Sequence, residues 1–195
     1  MHLRNFIHRD LKPDNIMMGL GEDSSNLFLV DFGLTRSIID KKTGKHIKLV
    51  GGKNLVGTCR YVSVNSHLGH ELSRRDDLIS VGYIMINFLT GSLPWEGMHS
   101  GKPSARYRKV GDFKASISDK ALCKKCPIAF LDYMNYVTSM KFEQEPDFAY
   151  LKSLLTDLAL EEDLDIFDSV FDWSLRLSSK RFNSGSLKDL MSRKN

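Results

Sequence analysis

The run His8-Arg9-Asp10-Leu11-Lys12-Pro13-Asp14-Asn15, followed after a short apolar stretch by Asp31-Phe32-Gly33, holds the residue types that a phosphoryl transfer needs. A carboxylate at Asp10 is placed to accept a hydroxyl proton. Lys12 adds positive charge where a transferring phosphoryl group is negative. Asn15 and Asp31 offer oxygen ligands suited to Mg²⁺, a hard cation that bridges nucleotide phosphates. Either short motif alone would be a weak signal, whereas the full run with the second motif at this distance is specific. Thr58, within Gly57-Thr58-Cys59-Arg60-Tyr61, carries a hydroxyl expected to hydrogen-bond both Asp10 and Lys12 and so fix their geometry; its plainer reading is a turn residue.

The elements that must position these residues follow from pattern. Ile16-Met17-Met18 and Leu27-Phe28-Leu29-Val30 read as strands joined by a polar turn over 19–26, which lets Asn15 and Asp31 face one site. Residues 34–56 are polar and lysine-rich without a period, which predicts an exposed, mobile segment. Asp76 or Asp77 can cap a helix whose Leu78, Val81, Ile84, Met85, Phe88 and Leu89 are apolar nearly all round, so burial on every side is predicted. Helices are also expected over 121–140, with Leu122, Ile128, Phe130, Leu131, Met134 and Val137 in the core, and over 150–160. Residues 1–7 suggest no element of their own. Lys102, Arg106, Arg108 and Lys109 read as a solvated face.

Composition narrows the function classes. The chain has 195 residues, 42% of them apolar, enough for one sizeable core. A net charge of only +4 argues against nucleic acid as a partner. Three cysteines are too few and too odd a set for a disulfide scaffold, which suggests a reducing compartment, cytoplasmic or nuclear. Cys123-Lys124-Lys125-Cys126 has no second pair beside it and reads as ordinary thiols. The uncharged stretch 78–95 is broken by Asn87, Gly91 and Pro94, so a core helix is expected rather than a membrane span.

Further motifs carry a resemblance. Ser63-Val64-Asn65 stands near where most protein kinases have Ala-Pro-Glu, and Ser73-Arg74-Arg75-Asp76-Asp77-Leu78 follows. Gly91-Ser92-Leu93-Pro94-Trp95, Pro146-Asp147-Phe148-Ala149-Tyr150-Leu151 and Phe171-Asp172-Trp173 come later, and Met18-Gly19-Leu20-Gly21 earlier. In combination the chain resembles the casein kinase I family over roughly residues 1–175.

That resemblance implies a mainly α fold, the C-terminal lobe of an α+β kinase. It would be a helical bundle around a buried central helix, with a β-hairpin carrying the catalytic and metal loops, and with residues 176–195 as a basic tail. It implies ATP and Mg²⁺ as cofactors, and as partners protein Ser/Thr substrates that are preferably acidic or already phosphorylated. Asp10, Lys12 and Thr58 would be catalytic, and Asn15 and Asp31 would hold the metal–nucleotide. Asp77 would anchor the catalytic loop. Arg74 and Arg106 match a basic pocket that reads an upstream phosphate, although an ion pair to Asp76 or another neighbour is the plainer reading for Arg74. Arg9 and Arg36 would form a second anion site, Arg36 standing in place of a lysine.

The glycine-rich phosphate loop, the β-strand lysine and its glutamate partner are not found in this sequence. The chain is therefore expected to be inactive alone, as a fragment or truncated kinase. The alternative is a short product that binds proteins or phosphopeptides without catalysis.

Overall fold

Asp76 and Asp77 open the longest helix of the protein. The structure is a computed structural model that describes residues 1–98, 102–166 and 171. Asp76 closes half of a capping box, its Oδ2 accepting the Ser73 amide at 2.8 Å, and helix α2 then runs from Arg74–Thr90. Gly91 ends it in the left-handed conformation (φ 81°), donating its N–H to the Asn87 carbonyl at 2.8 Å. Leu78, Ile79, Tyr83, Ile84 and Ile86 are buried along α2. Helix α5 (Ile128–Ser139) packs on it, and Gly82 permits the approach: a Cβ there would lie 2.4 Å from Met134 Sδ. The Tyr133 hydroxyl donates to the Leu78 carbonyl at 3.0 Å across that contact.

Around this pair stand α1 (Val64–His67), α3 (Pro103–Ser116), α4 (Asp119–Leu122) and α6 (Phe148–Glu161). Among the described residues the protein is helix-rich, 47% of them in α- or 3₁₀-helices, with six α-helices. Two antiparallel ribbons complete it. Strands β2 (Ile16–Met18) and β3 (Leu27–Leu29) pair with Ile16 opposite Leu29 and Met18 opposite Leu27. Strands β1 (Phe6–Ile7) and β4 (Arg36–Ser37) pair with Phe6 opposite Ser37. Ile7 and Ile38, both 0% exposed, make a small core with Leu72, and each such side chain stabilises by about 1.5–3 kcal/mol.

Several expectations change. Residues 1–7 do form structure, a 3₁₀ turn at His2–Arg4 and strand β1, because β4 gives that strand a partner. The segment after Leu34 is correspondingly tied down at Arg36–Ser37 and by the Ile39–His46 bridge. The helix expected over 121–140 is two, since the chain turns at 123–127 and Pro127 caps α5; Ile128 ends up 66% exposed. The basic stretch belongs to α3, with Arg106, Arg108 and Lys109 solvated as expected. Helix α2 is not covered on every side, for Phe88 and Leu89 are 67% and 50% exposed.

Among the described residues no helix is long and apolar enough to cross a membrane. The chain divides into two units after Leu158, and the candidate site lies wholly in the first. Ser100, the Asp172-Trp173 pair and the tail after 175 lie outside the described residues.

Candidate active site

The loop over residues 8–15 is fixed through its backbone. Asp77, 3% exposed, accepts the His8 amide at 2.8 Å on Oδ2 and the Arg9 amide at 2.9 Å on Oδ1. His2 Nε2 also lies 2.8 Å from Oδ2. Of the two candidate caps, then, Asp76 caps the helix and Asp77 anchors the loop. These bonds hold Arg9 in the left-handed region (φ 69°), a conformation costing of order 1–3 kcal/mol outside glycine. His8 is completely buried. Its Nδ1 accepts the Asp10 amide (3.3 Å), so the ring proton sits on Nε2 and goes to the Val30 carbonyl (3.1 Å). That is a structural role, as the sequence suggests.

Asp10 emerges with both carboxylate oxygens engaged. Oδ1 accepts from the Thr58 amide and the Thr58 hydroxyl, each at 2.7 Å, and Oδ2 lies 3.2 Å from Lys12 Nζ. Thr58 is thus joined to Lys12 through the Asp10 carboxylate. Burial alone would raise the Asp10 pKa, but the Thr58 and Lys12 hydrogen bonds outweigh it and hold the group below its ordinary value. Asp10 is an anion at neutral pH, and its unshared lone pairs are available to an incoming hydroxyl. Gly57 makes the approach of this segment possible: its φ is +91°, and a Cβ there would fall 2.3 Å from the Arg9 carbonyl oxygen.

Asn15 is buried, and its Nδ2 donates to the Asp10 carbonyl at 2.9 Å, leaving the amide oxygen for a cation. The ribbon carries the other ligand. Asn15 accepts the Val30 amide at 3.0 Å, so the hairpin register delivers Asp31 to the same end. Asp31 turns through a left-handed conformation (φ 60°, ψ 72°), and its Oδ1 accepts the Gly33 amide at 3.3 Å. One amide oxygen and one carboxylate suit Mg²⁺, which retains waters and binds through few protein groups together with phosphates. Among the described residues no cluster of three or more His, Cys, Asp or Glu is placed to hold a metal.

A family model of the protein kinase domain matches residues 1–148. The chain belongs to the protein kinase family. Members of that family generally use ATP and Mg²⁺ and act on proteins, which makes the chain a kinase, a transferase, by family.

The anion-binding candidates of this kinase domain fall into three places. Arg9 and Arg36 do meet, around a cavity of about 120 Å³ that Lys53 and Glu71 also line. Glu71, 4% exposed, takes Arg36 Nη1 at 3.0 Å and Lys53 Nζ at 3.7 Å. Burial and then the Arg36 charge lower the Arg9 pKa, while its Nε donates to the Leu34 carbonyl at 2.6 Å. Arg106 lines a second cavity, about 260 Å³, with Cys59, Arg60, Trp95 and Glu96. Arg74 is not among the residues lining that cavity. It is 6% exposed, its Nη2 donates to Asn5 Oδ1 at 2.7 Å, and Glu145 lies 3.6 Å away.

Sequence reasoning passed over Arg60 and Lys53. The signal available for Arg60 was its place two residues after Thr58; for Lys53 there was none beyond a basic segment. Ser63-Val64-Asn65 also acquires a physical meaning: the Ser63 hydroxyl (2.6 Å) and Asn65 amide (2.8 Å) both donate to Asp76 Oδ1. Burial raises the Asp76 pKa and these bonds oppose the rise. Cys59, Cys123 and Cys126 are free thiols, and Cys123 is pushed up to about 12, by burial and then by Cys126.

Proposed function

We propose that this chain carries the catalytic and metal-holding half of a Ser/Thr protein kinase of casein kinase I type, working in the cytoplasm or nucleus. The observation that carries the reading is the Asp10 carboxylate held between Thr58 and Lys12. When bound, ATP with Mg²⁺ supplies the γ-phosphoryl group and the divalent charge that spreads over it. Asp10 orients the acceptor hydroxyl and takes its proton as the new O–P bond forms and the bond to the bridging oxygen breaks. Lys12 faces the negative charge of the group in transit, and Asn15 and Asp31 would hold the cation.

The casein kinase I reading is supported by Ser63-Val64-Asn65, whose two polar side chains are bonded to Asp76 in place of an Ala-Pro-Glu motif. A preference for acidic or phosphorylated substrates is supported by the two arginine-lined cavities, Arg106 with Arg60 and Arg9 with Arg36. Electrostatic clamping supplies most of the acceleration in phosphoryl transfer, and this sequence has no G-x-G-x-x-G loop. By itself the chain therefore turns over no substrate.

Two preparations test this: the chain alone, and the chain fused behind a casein kinase I amino-terminal lobe, each with casein and Mg-ATP. The fusion should phosphorylate serine and the chain alone should not. Asp10→Asn in the fusion should lower the rate at least about 10²-fold, the contribution of a general base. An active isolated chain, or a fusion that binds nucleotide yet transfers nothing, would overturn the proposal. Among peptides, an upstream phosphoserine should raise the rate in the fusion, and Arg106→Ala should remove that advantage.

A further inference from the structure

Lys114, on α3, is 4% exposed, and among the described residues no ion pair joins it to a carboxylate. All three ammonium protons are nevertheless used. Nζ donates to the carbonyls of Cys59 (2.9 Å), Arg60 (3.2 Å) and Val62 (2.7 Å). It also lies 5.0 Å from the centre of the Tyr83 ring and 4.7 Å from that of Trp95, within the range at which an aromatic face attracts a cation. The three carbonyls belong to one tight turn, in which the Thr58 carbonyl accepts the Tyr61 amide at 2.9 Å and the Val62 amide at 3.1 Å. Trp95 Nε1 adds a fourth bond, to the Arg60 carbonyl at 2.8 Å. Gly111 seats α3 close enough for this, since a Cβ there would meet His67 Cβ at 2.8 Å.

We propose that Lys114 is a positioning residue for the catalytic aspartate: by gathering three carbonyls of the 58–62 turn it fixes Thr58, whose amide and hydroxyl hold Asp10. The proposal rests on Asp10 serving the acceptor hydroxyl. A structural filler would not need a charge in an apolar pocket, where burying an ammonium is costly unless every proton is satisfied. The cationic form satisfies all three carbonyls. The neutral amine has two protons and must release one of them.

The surroundings make Lys114 the group that changes charge near neutrality. Burial pulls its pKa down to about 7. His67, on α1, is lowered to about 4 by burial and then by Lys114 itself, so it is neutral there. The Cys59 thiol and the Tyr83 phenol are both raised, chiefly by burial, and stay protonated. Arg106 acts on the Cys59 thiol and Asp112 on the His67 ring. The unfolded chain keeps the lysine proton up to about 10.5, so this group's contribution to global stability rises with pH between about 7 and 10.5. The turn itself should loosen as the folded lysine loses its proton, around pH 7. Local order and global stability thus move in opposite directions.

The test follows the ¹⁵N,¹³C-labelled full chain by NMR. The Thr58 amide shift should titrate with the same midpoint as Lys114 Cε, near neutral pH, and Lys114→Met should abolish that titration. At fixed pH, Lys114→Met should speed Thr58 amide exchange about tenfold, roughly one lost hydrogen bond, while Met134 and Val137 on α5 stay within about twofold. A Thr58 shift that ignores the Lys114 titration, or exchange that rises equally on α5, would overturn the proposal. If Lys114→Met does not fold, the wild-type titration decides alone. Because no turnover is read, failure here leaves the Asp10 assignment standing.

Discussion

Asp10 and Asp31 sit in regions built in opposite ways. Asp10 is reached from distant stretches of chain: Thr58 bonds its side chain, and Asp77 grips the backbone just before it. Asp31 depends on its own neighbourhood, the β2–β3 register and the Gly33 amide, and its hairpin is open to solvent, with Met17 54% and Leu27 67% exposed. The first region is held by tertiary bonds whose loss must be felt throughout the fold. The second is held by local geometry, leaving room for a ligand to order it. On the proposed function, the carboxylate that would serve a proton has the firmer support, and the one that would meet a cation and phosphates has the looser.

The contrast can be broken most severely at Asp77. Asp77→Ala orphans the His8 and Arg9 amides, each lost bond costing about 1–3 kcal/mol, so urea denaturation should show a loss of several kcal/mol. A loss below about 1 kcal/mol would mean the loop is held elsewhere. Next comes Gly57→Ala, which forces a Cβ against the Arg9 carbonyl at a positive φ. Overpacking of about 1–3 kcal/mol is expected beside about 1–2 kcal/mol of backbone strain, read from the same denaturation midpoint.

Thr58→Val should be milder, about 0.5–1.5 kcal/mol for one hydroxyl bond. It also sharpens the comparison through pH. The folded-state pKa of Asp10 lies below the unfolded value, so its stabilisation is present above the ordinary carboxyl pKa and lost as pH falls through the folded one. Thr58→Val should move that carboxyl back up, visible in its ¹³C titration, and shrink the acid-side loss. Last and smallest, Asp31→Asn and Leu27→Thr should each stay within about 0.5 kcal/mol of the parent protein by thermal melting, because both side chains are exposed.

What could be read from the sequence follows the same division. Asn15 and Asp31 were legible because the hairpin that joins them is local, and turn signals mark its ends. Thr58 was legible only through the chemistry it completes at Asp10. Lys114 was not legible at all, since a lysine in a basic stretch reads as solvated and its burial is decided by α1, α2 and the 58–62 turn. Its place four residues after the buried Val110 puts both on one face of α3, a spacing shared by many solvated lysines. The break at 123–127 coincides with Pro127, which the apolar pattern across 121–140 conceals. Phe88 and Leu89 mislead for the reverse reason: being apolar implies nothing about which neighbours come to cover a side chain.

Asp76 and Asp77 are consecutive, yet they reach away from each other, one to Ser63, Asn65 and Ser73, the other to His2, His8 and Arg9. Neighbours on an α-helix differ in direction by about 100°, so the start of α2 works as an angular indexer for two loops at once. Its length is then as constrained as its composition. One residue inserted at 74–77 would turn everything beyond it by about 100°, detaching a carboxylate from its loop while swinging Leu78 out of the core. A single-codon insertion or deletion in this turn would therefore disturb both loops at once, where a point substitution at either aspartate releases only one.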